Sequence, residues 1–154
     1  MAEKMGQMSP IHFYFENVNL NLRNRKKLKG FINRLIIKEK RQLAGLSYIF
    51  SSDKALCEIN RKYLKHNFYT DVITFNLSTS SKEILADIYI SADRVKENAQ
   101  TLKLSFKEEL HRVMFHGLLH LCGYNDKTEN QRRLMRSREN FYLDLYFHSF
   151  HVKH

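Results

Sequence analysis

Along residues 24–43 the apolar side chains Leu28, Phe31, Ile32, Leu35 and Ile36 recur at helical spacing, and basic or polar residues fill most positions between them. That period predicts an amphipathic helix over the whole stretch. Shorter apolar and aromatic runs read as strands: Ile11–Phe15 before this helix and 46–50 after it. Ser51, Ser52 and Asp53 supply helix N-caps, and Leu56, Ile59, Asn60 and Tyr63 then mark one face of a short helix, with Tyr63 expected to pack inward. Two further β-rich runs, 71–77 and 84–90, are separated by a polar segment and predict a hairpin or two neighbouring strands. The second half reads as helical. Ala92–Leu102 is one helix, Ser105-x-x-Glu108 opens another that should stop at Gly123, and Thr128-x-x-Gln131 opens a last one running to about residue 146. The order βαβαββααα predicts an α+β fold, a small mixed β-sheet of about four strands covered by helices. With one proline, five glycines and no linker-like tract, a single domain over 1–154 is expected, its ends 1–10 and 148–154 mobile.

Residues 116–126 carry the densest chemistry. At 100° per residue, His116 and His120 lie ~40° apart around the helix and one turn apart along it. Two imidazoles so placed fit one metal ion, as in the helical motif H-E-x-x-H. They fall on the shoulder of the apolar stripe, a position at the edge of a cleft, in the C-terminal half of the chain. Gly123 lets the chain reverse, and Asp126 then offers an oxygen ligand. Two histidines and one carboxylate leave a fourth position open, the pattern of a catalytic zinc site, although nickel, manganese or iron also fit. A plainer reading stands beside this one: H-x-x-x-H arises by chance, and Asp126 also suits a turn or a cap for the helix at Thr128. Position 117 is Gly, so the general base of the metalloprotease motif is missing.

Charge narrows the partner. There are 26 Lys and Arg against 16 Asp and Glu, a net +10, which favours a polyanion. Nine basic residues crowd 23–41, Arg25, Lys26 and Lys27 among them, with Glu39 the one acid; a phosphate-contacting face and a solvated helix face both fit. Arg132, Arg133, Arg136 and Arg138 form a second, more diluted cluster. Phe68 and Tyr69 suit stacking on unpaired bases. Asp71 and Asp87 read as turn or backbone acceptors, His111 points away from the His116 side, and Cys122 reads as packed. His148, His151 and His154 read as surface residues. Cys57 and Cys122 are far apart in sequence, and no apolar run suits a signal segment or a membrane span, so a cytoplasmic protein without disulfides is expected.

The stretch His116-Gly-x-Leu-His120-Leu-x-Gly-Tyr-x-Asp126 resembles the signature H-G-x-L-H-L-x-G-Y-D-H of the YbeY endoribonucleases. Ile59-Asn60-x-x-Tyr63 with Thr70-Asp71-Val72-Ile73-Thr74-Phe75 is similar to the family's L-N-x-x-Y and T-D-V-L-S-F blocks, and Ala86-Asp87-Ile88-Tyr89-Ile90-Ser91 to its G-D-I-x-I-S strand. Ser105, Glu109, Leu110, Met135 and Glu139 fit in order, so the likeness covers about 46–140. It implies a zinc-dependent, single-strand-specific endoribonuclease of ribosomal RNA maturation and ribosome quality control. One divalent ion would be held by His116, His120 and Asp126. The implied partners are single-stranded or ribosomal RNA and the small ribosomal subunit, with no membrane and no small-molecule cofactor.

Two departures matter. Asp126 stands where the family has a third histidine, and Leu64 where it has a cleft arginine. Lys65, His66 and the basic helix with Arg25, Lys26 and Lys27 are the expected replacements for that charge. Two alternatives stay open: a metal-dependent hydrolase of peptide or amide bonds, and an RNA- or ribosome-binding factor with a mainly structural metal.

Overall fold

The computed structural model describes residues 9–65 and 69–148. Nine elements follow in the expected order: β1 Ile11–Phe15, α1 Arg25–Lys38, β2 Gln42–Ser51, α2 Asp53–Leu64, β3 Val72–Asn76, β4 Glu83–Ser91, α3 Ala92–Leu102, α4 Phe106–Leu121 and α5 Glu129–His148. The sheet order is β1-β2-β4-β3. β1 and β4 run parallel to β2, and β3 pairs antiparallel with β4, so the sheet is mixed and β3 is an edge strand. Pro10 accepts a hydrogen bond from the Leu46 amide, and His148 closes α5. The expectation of mobile ends for 1–8 and 149–154 concerns residues outside the described ones.

The caps read from sequence are made. Ser52 and Ser105 each accept a backbone N–H three residues on, at 3.1 and 3.0 Å, and Ser91, not marked in the sequence, caps α3 in the same way at 3.0 Å. At α5 the box is reciprocal: Thr128 Oγ1 accepts from the Gln131 amide, and Gln131 Oε1 accepts from the Thr128 amide. The first helix is shorter than expected. It ends at Lys38, Lys40 takes a left-handed φ of 65°, and Leu43 already belongs to β2, opposite Ile84. Leu43 lies seven residues beyond Ile36, so its apolar side chain continued the helical period by coincidence.

Alternation along the strands puts Leu46, Tyr48 and Phe50 with Ala86, Ile88 and Ile90 in the core. Helix α4 lies against that face, where Tyr48 Oη donates to the Met114 carbonyl at 3.1 Å. Phe31 of α1 packs on Phe115 of α4 and on Tyr142 and Tyr146 of α5, closing the layer. The opposite sheet face meets α2, whose buried side chains are Leu56, Cys57 and Asn60. Tyr63 does not join them: it is 61% exposed and touches Phe75 edge-on, because the last turn of α2 lies at the β3 edge of the sheet. Cys57 and Cys122 are buried and free. Among the described residues no helix is long and apolar enough to cross a membrane.

His111 faces the aromatic cluster, away from His116. It is buried, donates from Nδ1 to the Lys107 carbonyl at 2.7 Å and stacks on Tyr146. Burial lowers its pKa from 6.5 to about 4. The unfolded chain therefore binds a proton that the folded one refuses between those values. His111 thus favours folding fully above pH 6.5, and the contribution is lost as the pH falls towards 4, by about 3 kcal/mol. Denaturant unfolding at pH 7 and pH 4 should show His111→Asn losing about that much less stability than the native chain. Equal losses would contradict the assignment.

Candidate metal centre

Glu109, Arg112, His116 and His120 follow one another at intervals of three, four and four residues, so α4 carries them as a single polar stripe beside its apolar face. The first two are buried, and Arg112 bridges Glu109 Oε1 at 3.2 Å and Glu139 Oε1 at 3.1 Å. Glu139, buried on α5, turns its second oxygen to His116, whose Nδ1 donates to it at 2.6 Å. This fixes the His116 tautomer and leaves Nε2 as the outward donor atom, as the outer carboxylates of metal-bound histidines do. Burial opposes a proton on His116, but its hydrogen bond to Glu139 and the charges of Glu139, Asp71 and Asp126 outweigh it and raise the pKa.

The third group comes from the loop after α4. Gly123 has φ 106°, a backbone that disfavours any side chain, and it reverses the chain there. Arg41 Nη2 donates to the Cys122 carbonyl at 2.7 Å. Glu39, the lone acid of the basic stretch, accepts from the hydroxyls of Tyr124 and Tyr142 and from Arg138 Nη2. Burial would raise the Glu39 pKa, yet those hydrogen bonds lower it. Arg132 Nη1 donates to the carbonyls of Asp126 and Lys127 at 3.4 and 2.9 Å, holding the loop from the other side. The cap of α5 is filled by Thr128, so that task does not fall to Asp126.

The result is a convergence of three donors. Asp126 Oδ2 lies 3.4 Å from His116 Nε2, and Asp126 Oδ1 lies 3.3 Å from His120 Nε2. One ligand atom from each of the three residues falls within 4.8 Å of the others. Tetrahedral bonds of about 2.0–2.2 Å place ligand atoms roughly 3.3–3.6 Å apart, and three donors gathered within 4.8 Å are close enough to be drawn onto one metal ion. The side chains are 23%, 32% and 38% exposed for His116, His120 and Asp126, which matches a cleft edge open to a substrate.

Gly117, on the same helix, faces β3 and β4. A Cβ there would meet Ile88, Thr74 and Val72 methyls at 3.1, 3.3 and 3.3 Å. A glutamate at 117 would therefore press into the sheet rather than reach the histidines, and the missing metalloprotease base is a consequence of packing. Gly117→Glu should destabilise the fold by about 3 kcal/mol or more in denaturant unfolding. A variant of native stability would contradict this packing.

Some of the chemistry was missed in the sequence. Glu139, Arg112 and Glu109 form the support just described. Asp71, read as a turn acceptor, does accept a backbone bond through its carbonyl from the Ser91 amide. Its carboxylate, however, takes a hydrogen bond from Asn98 Nδ2 at 3.3 Å and lines the cleft beside His116. Burial raises its pKa against the pull of His116. The family resemblance picks out Glu109 and Glu139 without giving them a role, and the polar stripe of α4 is a usable signal for Glu109 and Arg112; nothing local places Glu139 against His116 or marks the cleft-facing carboxylate of Asp71.

The expected RNA contacts are spread out. Leu64 lines the cleft near the histidines. Lys65 is the exposed left-handed C-cap of α2, and His66 and Phe68 lie outside the described residues. Arg25 and Lys27 lie over the rings of Phe15 and Tyr146, and Lys26 is exposed beside them. Tyr146 lies two turns of α5 beyond Glu139 and stacks on His111, on the face of α4 turned away from His116, and none of Arg25, Lys26 and Lys27 lines the cleft at the histidines. Tyr69 is exposed, with Arg94 over its ring.

A mixed sheet backed by a helix that presents two histidines, met by a carboxylate from a reversing loop, defines an α+β protein with a candidate metal centre at a sheet edge. The sequence profile of the family described as endoribonuclease YbeY matches residues 12–146, beyond the 46–140 span of the motif blocks. Relatives named endoribonuclease YbeY include one from Cytophaga hutchinsonii, 46% identical over 88% of this chain and 94% of its own. Another, from Flavobacterium psychrophilum, is 44% identical over 93% and 98%, and one from Parabacteroides distasonis is 42% identical over 84% and 91%. The solution structure of TM1509 from Thermotoga maritima shares the fold, with TM-score 0.63 and 24% identity over 93% of each chain. The chain belongs to the endoribonuclease YbeY family.

Proposed function

We propose that this protein is a zinc-dependent, single-strand-specific endoribonuclease of ribosomal RNA maturation and ribosome quality control, acting in the cytoplasm on the small ribosomal subunit. The observation that carries the reading is the convergence of His116, His120 and Asp126 at an accessible cleft in a chain of this family. Zinc, when bound there, supplies Lewis acidity that draws charge from a phosphoryl oxygen or a water. The protein residues supply placement. Glu139 orients His116, Arg132 steadies the carbonyl side of the Asp126 loop, and the net charge of +10 draws the polyanion in.

The packing of Gly117 against the sheet speaks against peptide or amide hydrolysis by the familiar helical zinc motif. A mainly structural metal with RNA binding is the second reading, and Leu64 at the cleft favours it, since an apolar side chain stands where the family has a cleft arginine. The two are separated by incubating the purified, metal-loaded protein with an unpaired RNA and with its duplex. Cleavage of the unpaired strand, abolished by a chelator and restored by zinc, is the expected result. Salt-dependent binding without cleavage would favour the second reading and overturn the first.

A further inference from the structure

The cleft has two lobes that meet at the wall made by Asp71, His116 and Asp126. The lobe on the α2 side, about 310 Å³, is lined by groups such as Asn60, Leu64 and Val72. No described residue lining it is Lys or Arg. The lobe on the α5 side, about 260 Å³, carries Arg112, Arg132 and Arg136. These three guanidinium groups are not equivalent. Arg112 is buried and bridges two carboxylates, and Arg132 is spent on the carbonyls of the Asp126 loop. Arg136, one turn beyond Arg132, has a side chain 56% exposed, and its Nε is 3.8 Å from Glu139 Oε1, the outer limit of an ion pair. That oxygen already accepts from Arg112 at 3.1 Å, and its carboxylate partner oxygen from His116. A guanidinium with five donors, loosely held and lining this lobe, suits bidentate contact with a phosphate.

Resting on the endoribonuclease reading, we infer that Arg136 is the residue that grips the RNA phosphate beside the metal centre. The cation that this chain lacks at Leu64 is supplied from the opposite wall of the cleft. The strand then crosses the His116–Asp126 wall with its phosphate on the α5 side and an uncharged part of the nucleotide over Leu64. The other arginines of the cluster do not share this role: Arg138 is committed to Glu39, and Arg133 pairs with Glu129 on the outer face, 72% exposed.

The test compares Arg136→Ala with Arg133→Ala, which removes the same charge from the same helix outside the cleft. Both are loaded with zinc and assayed on an unstructured single-stranded RNA, for cleavage and for binding as a function of salt. Arg136→Ala should bind zinc normally, lose about 10–100-fold in kcat/KM and lose about 0.7 from the slope of log affinity against log salt. Arg133→Ala should keep native kcat/KM. Equal behaviour of the two variants, in rate and in salt slope, overturns the inference. If the native protein binds the strand with an Arg136-dependent slope yet cuts nothing, the phosphate contact stands and the endoribonuclease reading falls.

Discussion

His116→Ala and His120→Ala should each purify without stoichiometric metal and without metal-dependent cleavage of single-stranded RNA, while circular dichroism still reports a folded chain. Each substitution removes one of three converging donors, and two donors do not make a closed set for zinc. Their stabilities should differ. His120 is about one-third exposed and its ring leans on that of His116, so losing it costs little. His116 holds the buried Glu139 carboxylate, and its removal leaves one oxygen without its donor, costing about 1–3 kcal/mol. Metal analysis and denaturant unfolding of both variants check this together. Full zinc content in either would remove that histidine from the site.

The second large effect is at Glu139. Glu139→Ala strips a buried partner from Arg112 and the orienting acceptor from His116 in one step. Breaking a buried ion pair from one side costs about 3–5 kcal/mol. Losing the outer carboxylate of a metal-ligating histidine costs about 10–100-fold in metal affinity. Glu139→Gln keeps an oxygen for the His116 Nδ1–H and should fall between the native protein and the alanine variant in both measurements. If Glu139→Ala bound zinc as tightly as the native chain, the His116 ring would have to be held by something else.

Much of this architecture was readable before any coordinates. All nine elements lie in the predicted order because most announce themselves locally: apolar and aromatic runs in the strands, period 3.6 in α1 and α4, and serine or threonine caps before α2, α4 and α5. The errors arose where a local pattern served a distant partner. Leu43 kept the period of α1 but pairs with Ile84, and Tyr63 kept the face of α2 but lies at the sheet edge. The site divides in the same way. His116 and His120 are neighbours by helical geometry alone, and Gly123 signals the reversal that brings Asp126 back. Glu139 reaches His116 only because α5 packs along α4, a relation with no trace in either helix by itself. Charge density marked 23–41 as a surface for polyanions but carried no position, and the structure sets Arg25, Lys26 and Lys27 at the far end of α5 from the loop.

Asp126 stands where the family resemblance implies a third histidine, and the account of the site depends on it. Zinc titration against a competing chelator, run on the native protein, Asp126→Ala and Asp126→His, tests it directly. The carboxylate spans both imidazoles, at 3.4 and 3.3 Å, so alanine should weaken zinc binding sharply and histidine should retain it. Native zinc affinity in Asp126→Ala would show that the carboxylate is not a ligand and would contradict the three-residue centre.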